Sequence, residues 1–411
     1  MFSDMLARLP MSLQKEIKRG PATSLKERQK DVRKACAARD AYDGIGKLMS
    51  AHYGSMTDYQ REQCRHQCCR HGRLCPVFEK PSTGRLLFHS AGLVCRDFST
   101  AGMRMGMAGP SALLFKAWKH ETIMMNPAFI LTECAESPDL PTVSSEFPER
   151  YVWATVVLDP TWFGCPARRV RRFCFAYDSS VVAMTEPLTT AGLLHLFGRS
   201  IAATPDVFLG AREEDVIDRL RKLCHKHYIH VSEETLAKFA RGEVLQSPEC
   251  CMSSLQDLME IVSPGKARRA KGYQQLQKSG SDSNAKDPFY ADLSQNPLER
   301  PRIGKSNLPT LTTRAEFAAQ HLGREVLLQE HFIAQGVRGF KSSCPFQVPF
   351  IDLIADEFSD QDLRTLAGNG QNICCVIPLH LFIYGHARWL GASVAERVTD
   401  SGAEIDMDSI V

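Results

Sequence analysis

The strongest constraint on the fold is a strand–loop–helix–strand order between Leu86 and Leu131. The apolar run Leu86 to Val94 predicts a strand. It empties into a short polar turn, Cys95-Arg96-Asp97-Phe98-Ser99, then into a glycine-rich loop through Pro110. Ser111 opens a helix with Leu114, Ala117 and Trp118 at helical spacing, and Ala128 to Leu131 predicts a short buried strand. Two further β-rich runs, Tyr151 to Leu158 and Phe173 to Tyr177, flank a tight turn through Gly164 and Pro166. Strands alternating with helices mean an α/β sheet. Cys95 then stands at a strand's carboxyl end, where such sheets place their ligands.

A chain of 411 residues, 44% hydrophobic, can bury one large or two ordinary cores. No apolar run reaches the roughly eighteen residues of a membrane span, and no basic-then-apolar leader is present, so the expectation is an intracellular protein without membrane contact. Fifteen cysteines, odd in number and irregular in spacing, argue against a disulfide framework. The net charge of +3 conceals local bias. Residues 1–40 carry ten Lys/Arg against five Asp/Glu, residues 266–305 nine against four, and the last sixteen residues five acids against Arg397. Basic stretches of this kind suit phosphates and solvated helix faces alike.

Residues 180 to about 262 mix short helices, clearest over Glu213 to Cys224 and Glu233 to Ala240, the latter with Ser232 as N-cap and Gly242 past its end. Residues 263–308 read as an extended basic linker. Order returns near Leu311, and a last helix runs from Asn372 to about Trp389, with Pro378 as a possible kink. The domain reading is a basic, Cys/His-rich segment (1–84), a catalytic α/β core (85–179), and a recognition-like region with its linker (180–308). The C-terminal part of the catalytic domain (309–392) and an acidic tail (393–411) complete it.

Four groups could carry chemistry. Cys95, with Arg96 beside it and Arg104 nearby, suits a thiolate nucleophile, the alternative being a small buried apolar residue. Glu133 ends an apolar strand, a place for proton donation or for a surface acid. Arg169 and Arg171 fall on one strand face by period-two alternation, fit to grip a base edge or phosphates, or to form a solvated basic edge. Glu330 with Gln335-Gly336, and then Gly368-Asn369-Gly370, complete the order. Two metal readings compete: Cys64, Cys68, Cys69, His71 and Cys75 as a zinc site, and more weakly Cys224, His225, His227 and His230. Neither has a clean paired spacing, and no metal ligand is assigned.

In this order the motifs resemble the DNA (cytosine-5) methyltransferases. That family has a Pro-Cys motif ending near Phe-Ser, a Glu-Asn-Val strand end and a Gln-x-Arg-x-Arg strand. A Glu-x4-Gln-Gly segment and a late Gly-Asn turn follow. The resemblance covers roughly residues 86–178 and 309–390, with the variable recognition region between. It implies a Rossmann-like, S-adenosylmethionine-dependent methyltransferase sheet. Val94 replaces the proline, Cys134-Ala135 replace Asn-Val, and Ala167 replaces the glutamine. The family's Phe-x-Gly-x-Gly-Gly cofactor loop has no counterpart before Cys95, the nearest being Asp43-Gly44-Ile45-Gly46, so the sheet is expected to be incomplete in its first half.

The resemblance implies methyl transfer from S-adenosylmethionine to carbon 5 of cytosine on a flipped base of double-stranded DNA. Cys95 is then the nucleophile, Glu133 meets ring nitrogen 3, Arg171 meets oxygen 2 with Arg169 beside it, and Gly368, Asn369 and Gly370 bind the cofactor. Lysines and arginines of 266–305 would grip phosphates. A nuclear, monomeric protein is implied. Two readings stay open beside this one: a catalytically inactive nucleic-acid-binding relic of the same fold, and an RNA cytosine-5 methyltransferase.

Overall fold

The computed structural model describes residues 45, 47–48, 51–52, 55, 65–68, 73–76, 86–93, 111–135, 140–246, 252–279, 288–299, 301–337 and 358–391. Two compact units emerge, one from residues 1–157, 171–189 and 382–411, the other from 158–170 and 190–381.

In the first unit an antiparallel hairpin, β1 (Arg65–Cys68) and β2 (Arg73–Pro76), precedes the main sheet. The sheet is built from β3 (Phe88–Gly92), β4 (Phe129–Cys134), β5 (Tyr151–Leu158) and β6 (Arg171–Asp178), ordered β3-β4-β6-β5. β3 lies parallel to β4, as the helical crossover α1 (Ser111–Met125) requires, whereas β6 runs antiparallel to β4. All six residues of β4 are buried, since the sheet is covered on both faces. On one face Ile130, Cys174 and Ala176 pack under Leu113, Ala117 and Trp118 of α1, with Val143 of α2 (Leu140–Ser144). On the other, Phe129 stacks on Phe175 and meets Phe88, which meets Tyr384. A short strand β7 (Val182–Met184) follows β6.

In the second unit α3 (Thr190–Phe197) leads to an antiparallel pair, α4 (Glu213–Lys226) and α5 (Glu233–Ala240). Ser232 caps α5 as expected, its hydroxyl accepting from the Thr235 N–H. The apolar stripe Val216, Leu220 and Cys224 meets Leu236 and Phe239 of α5, then Leu258 and Val262 of α6 (Leu255–Val262). Residues 263–308 do not form an extended linker. They carry the 16-residue α7 (Pro264–Ser279) and two strands, β8 (Tyr290–Asp292) and β9 (Ile303–Gly304). With β10 (Phe317–Ala319) and β11 (Arg324–Glu325) these strands make a sheet ordered β11-β10-β8-β9, with antiparallel neighbours. Ala270, Tyr273 and Leu276, three residues apart, hold α7 against Phe289, Ala291 and Leu293.

Near the C-terminus come α8 (Leu328–Ala334), α9 (Asp360–Asn369) and α10 (Ile373–His386), with Pro378 inside α10. The last helix is shorter than expected: residues 387–389 instead form β12 (Ala387–Trp389), paired antiparallel with β7. No single described helix is long and apolar enough to cross a membrane.

Candidate active site

The parallel register brings Gly92 opposite Glu133, and the Leu93 N–H donates to the Glu133 carbonyl at 2.8 Å. Glu133 lies opposite Phe173, so Arg171, two residues earlier on the same face of β6, is its diagonal neighbour. The two side chains meet, Arg171 Nε lying 3.0 Å from Glu133 Oε1. Glu133 is buried, and Arg171 keeps 21% of its side chain exposed. The carboxylate therefore sits at the carboxyl end of β4 with its charge compensated, beside a guanidinium that reaches solvent. Gly92 puts no side chain next to it. Cys95 lies outside the described residues and follows Leu93 by two positions.

Arg169 does not share that face. β6 begins at Arg171, and Arg169 precedes the strand with only 3% of its surface exposed. Its Nη1 donates to the carbonyls of Leu311 and Gly368, each at 3.1 Å, within the second unit. A buried guanidinium bonded to two backbone oxygens holds chain segments together. The placing of Arg169 beside Arg171 on one strand face is corrected accordingly.

Gly368 lies within α9, so the glycine turn expected at 368–370 is in part helical. A methyl group on Gly368 would come within 2.3 Å of the Thr313 nitrogen, so the missing side chain admits backbone. Asn369 is exposed at the end of the helix and Gly370 caps it in an extended conformation. Of the three residues expected to hold a cofactor, Gly368 is occupied by backbone packing.

Glu330 is a structural anchor. Fully buried, it receives the Leu327 N–H (2.7 Å), the Ala211 N–H (3.1 Å) and a fork from Arg324 (2.8 and 2.9 Å). Gly336 has φ +83°, and a side chain there would strike Ile373 at 2.9 Å. The Gln335 carbonyl accepts from Ile373, and Asn372 Nδ2 donates to Ala334, tying α8 to α10.

Four of the nine cations of 266–305 are held within the fold. Lys266 bridges Glu316 and Glu325, Lys271 pairs with Glu260, Arg302 pairs with Asp292, and Arg269 donates to the Leu293 carbonyl. Among the described residues no group of three or more His, Cys, Asp or Glu could hold a metal ion, and the Cys224–His230 set does not assemble as one. The side chains of the Cys64–Cys75 set lie outside the described residues.

Sequence reasoning missed a thiol pair and a buried lysine. The bond from Cys165 pulls the Cys374 thiol down to about 7, while the same contact and burial push Cys165 up. Lys119, 2% exposed, donates to Ser145 Oγ at 2.9 Å, and burial lowers it to about 8. Both pairs join residues far apart in sequence, which only the tertiary fold connects.

No protein-family model and no curated protein matches the sequence. Among solved structures, the chain is similar to the Dnmt2 methyltransferase of S. pombe: 14% identity, 72% of this chain and 77% of that one covered, TM-score 0.35. It is also similar to the methyltransferase EhMeth of Entamoeba histolytica, with 13% identity, 72% and 76% covered and TM-score 0.34. A putative DNA modification methyltransferase encoded within an E. coli prophage is similar at 12% identity, 68% and 77% covered and TM-score 0.31. The fold of the first unit is α/β, as its parallel β3–β4 pair and helical crossover show.

Proposed function

We propose that the chain transfers a methyl group from S-adenosylmethionine to carbon 5 of cytosine in DNA. The observation that carries this reading is the Arg171–Glu133 pair at the carboxyl end of β4 and the amino end of the antiparallel β6, two residues of chain from the strand exit that leads to Cys95. Two residues span about 7 Å at most, within reach of one pyrimidine ring.

Carbon 5 of cytosine is a weak nucleophile. In the proposed chemistry the Cys95 thiolate adds to carbon 6, and the electron pair of the 5,6 double bond moves toward nitrogen 3 and oxygen 2. Glu133 supplies a proton or hydrogen bond at nitrogen 3, and Arg171 faces the charge growing on oxygen 2. The cofactor supplies the methyl carbon, and Asn369 and Gly370 are the described residues that would help hold it. Transfer of the carbon 5 proton to a water molecule, with the carbon–sulfur pair leaving on the Cys95 thiolate, restores the double bond. Arg169 acts at one remove, by fixing the Gly368 carbonyl.

Double-stranded DNA as partner, base flipping, a nuclear location and a monomeric state belong to the same proposal. The RNA cytosine-5 reading shares every one of these side-chain roles. Calorimetry with S-adenosylmethionine and the full chain tests the catalytic reading. One-to-one binding is expected, and no binding at millimolar cofactor overturns it in favour of the inactive nucleic-acid-binding relic.

A further inference from the structure

A hollow at the C-terminal end of α4 lies outside the site described above. Four planar side chains border it: Arg221, His225, Tyr228 and His230. Its open volume is about 540 Å³, and Cys224 and Leu236 contribute to its apolar lining. All of these residues belong to the second unit.

Tyr228 is 91% exposed and has φ +55°, a left-handed conformation rare for a bulky side chain. It occupies the position after the helix cap His227 where glycine is favoured, and the Ile229 N–H closes the turn on the Cys224 carbonyl at 2.9 Å. Glycine would make this turn without strain. The chain instead holds an aromatic ring in water at a strained position, a combination that calls for a partner.

The neighbouring groups define that partner. Glu233 holds the Arg221 guanidinium flat through two bonds, Nε–Oε1 at 2.9 Å and Nη2–Oε2 at 2.8 Å. Residues 221–230 contain three Lys/Arg and three His but no Asp or Glu. Among the described residues, the side chains of Lys226, His225 and His230 make no hydrogen bond or ion pair, and all three are exposed. Glu233, which also lines the hollow, and Asp218 compensate Arg221, so the exposed charge left beside these flat π surfaces is that of Lys226. Stacking faces next to one such cation match an unpaired nucleobase and its phosphate, because any base has a face to stack and its backbone is anionic.

We infer that this hollow binds an unpaired base of a single-stranded nucleic-acid segment, with Tyr228 stacked on it and Lys226 near its phosphate. The inference deepens the proposed function and rests on its nucleic-acid reading, adding a nucleotide other than the one that reacts. Fluorescence anisotropy of the full chain with labelled ten-nucleotide single strands, one DNA and one RNA of the same sequence, tests it. Tyr228→Gly is expected to weaken binding about ten-fold, the loss of one stacking contact. Its thermal midpoint should be no lower than wild type, and Tyr228→Trp should retain affinity. A loss on RNA alone or on DNA alone supports the inference and assigns the strand. Equal affinity of Tyr228→Gly and wild type for both strands overturns the inference and leaves the nucleic-acid reading standing. Failure of the wild type to bind either single strand overturns the inference alone, since the substrate of the proposed reaction is double-stranded DNA.

Discussion

Arg171 reaches diagonally from β6 to β4 and places its Nε 3.0 Å from the Glu133 carboxylate. Either residue alone would leave a largely buried charge, so each fixes the other's orientation. Glu133→Gln keeps the shape and removes the charge and the acid. Methyl transfer should fall about 100-fold or more, with a far-UV spectrum unchanged from wild type. Arg171→Lys should also lose most activity, because an ammonium cannot keep the guanidinium's geometry toward both the carboxylate and a substrate oxygen. Steady-state kinetics on both variants measures this.

Arg169 is expected to behave differently. Arg169→Met leaves the Leu311 and Gly368 carbonyls without their donor, at a cost of about 2–4 kcal/mol in stability. Arg169 acts through the Gly368 carbonyl, next in sequence to Asn369 and Gly370, so cofactor KM should rise more than kcat falls. Arg171 variants should show the opposite split. Denaturant melts beside kinetics separate the two residues.

Glu330→Ala removes the acceptor of two backbone N–H groups and the partner of Arg324. Breaking a pair this deeply buried costs about 3–5 kcal/mol. Urea denaturation should show that loss, with little recovery from Glu330→Gln, which still leaves Arg324 uncompensated.

Two histidines make the fold acid-sensitive. His89 accepts the indole N–H of Trp118 at 2.9 Å, and burial lowers its pKa to about 4. His331, fully buried with Nε2 unpartnered, is lowered to about 3, chiefly by burial and secondarily by Arg364. Both are depressed below the unfolded value of 6.5, so both must stay neutral in the folded chain. Their contribution is fully present above pH 6.5 and is lost as pH falls through 4 and 3, at about 1.4 kcal/mol per unit for each group while it titrates only in the unfolded chain. Melts at pH 7 and pH 5 should differ by less in His331→Leu than in wild type.

The strands legible in the sequence were those whose apolar runs leave no other choice. Tyr151 to Leu158 has the same bounds in both, and β4 and β6 extend their expected runs by a few residues. Helix α5 was legible because Ser232 and Gly242 mark its ends. Helix α7 was not. Ser263-Pro264-Gly265 has the composition of a turn, and its buried stripe relies on Ala267 and Ala270, whose small side chains give almost no hydrophobic signal. Pro264 at the first helical position was the cue available. The Glu133 and Arg171 positions could be inferred from motif order, but their contact depends on the β4–β6 register, and Arg169 looked like a strand residue because alternation says nothing of where a strand begins.

The covalent step is open to direct measurement. The full chain, incubated with S-adenosylmethionine and a DNA duplex carrying 5-fluorocytosine, should form an adduct stable to denaturation. After methyl transfer the fluorine on carbon 5 cannot leave as a proton does, so the Cys95 thiolate stays bonded to carbon 6. Intact-mass spectrometry should find protein plus one oligonucleotide strand plus one methyl group, and peptide mapping should place the link on Cys95, with Cys95→Ser giving none. A wild-type chain that binds the duplex and the cofactor yet forms no adduct, or an adduct that survives Cys95→Ser, would contradict the assignment of Cys95 as nucleophile.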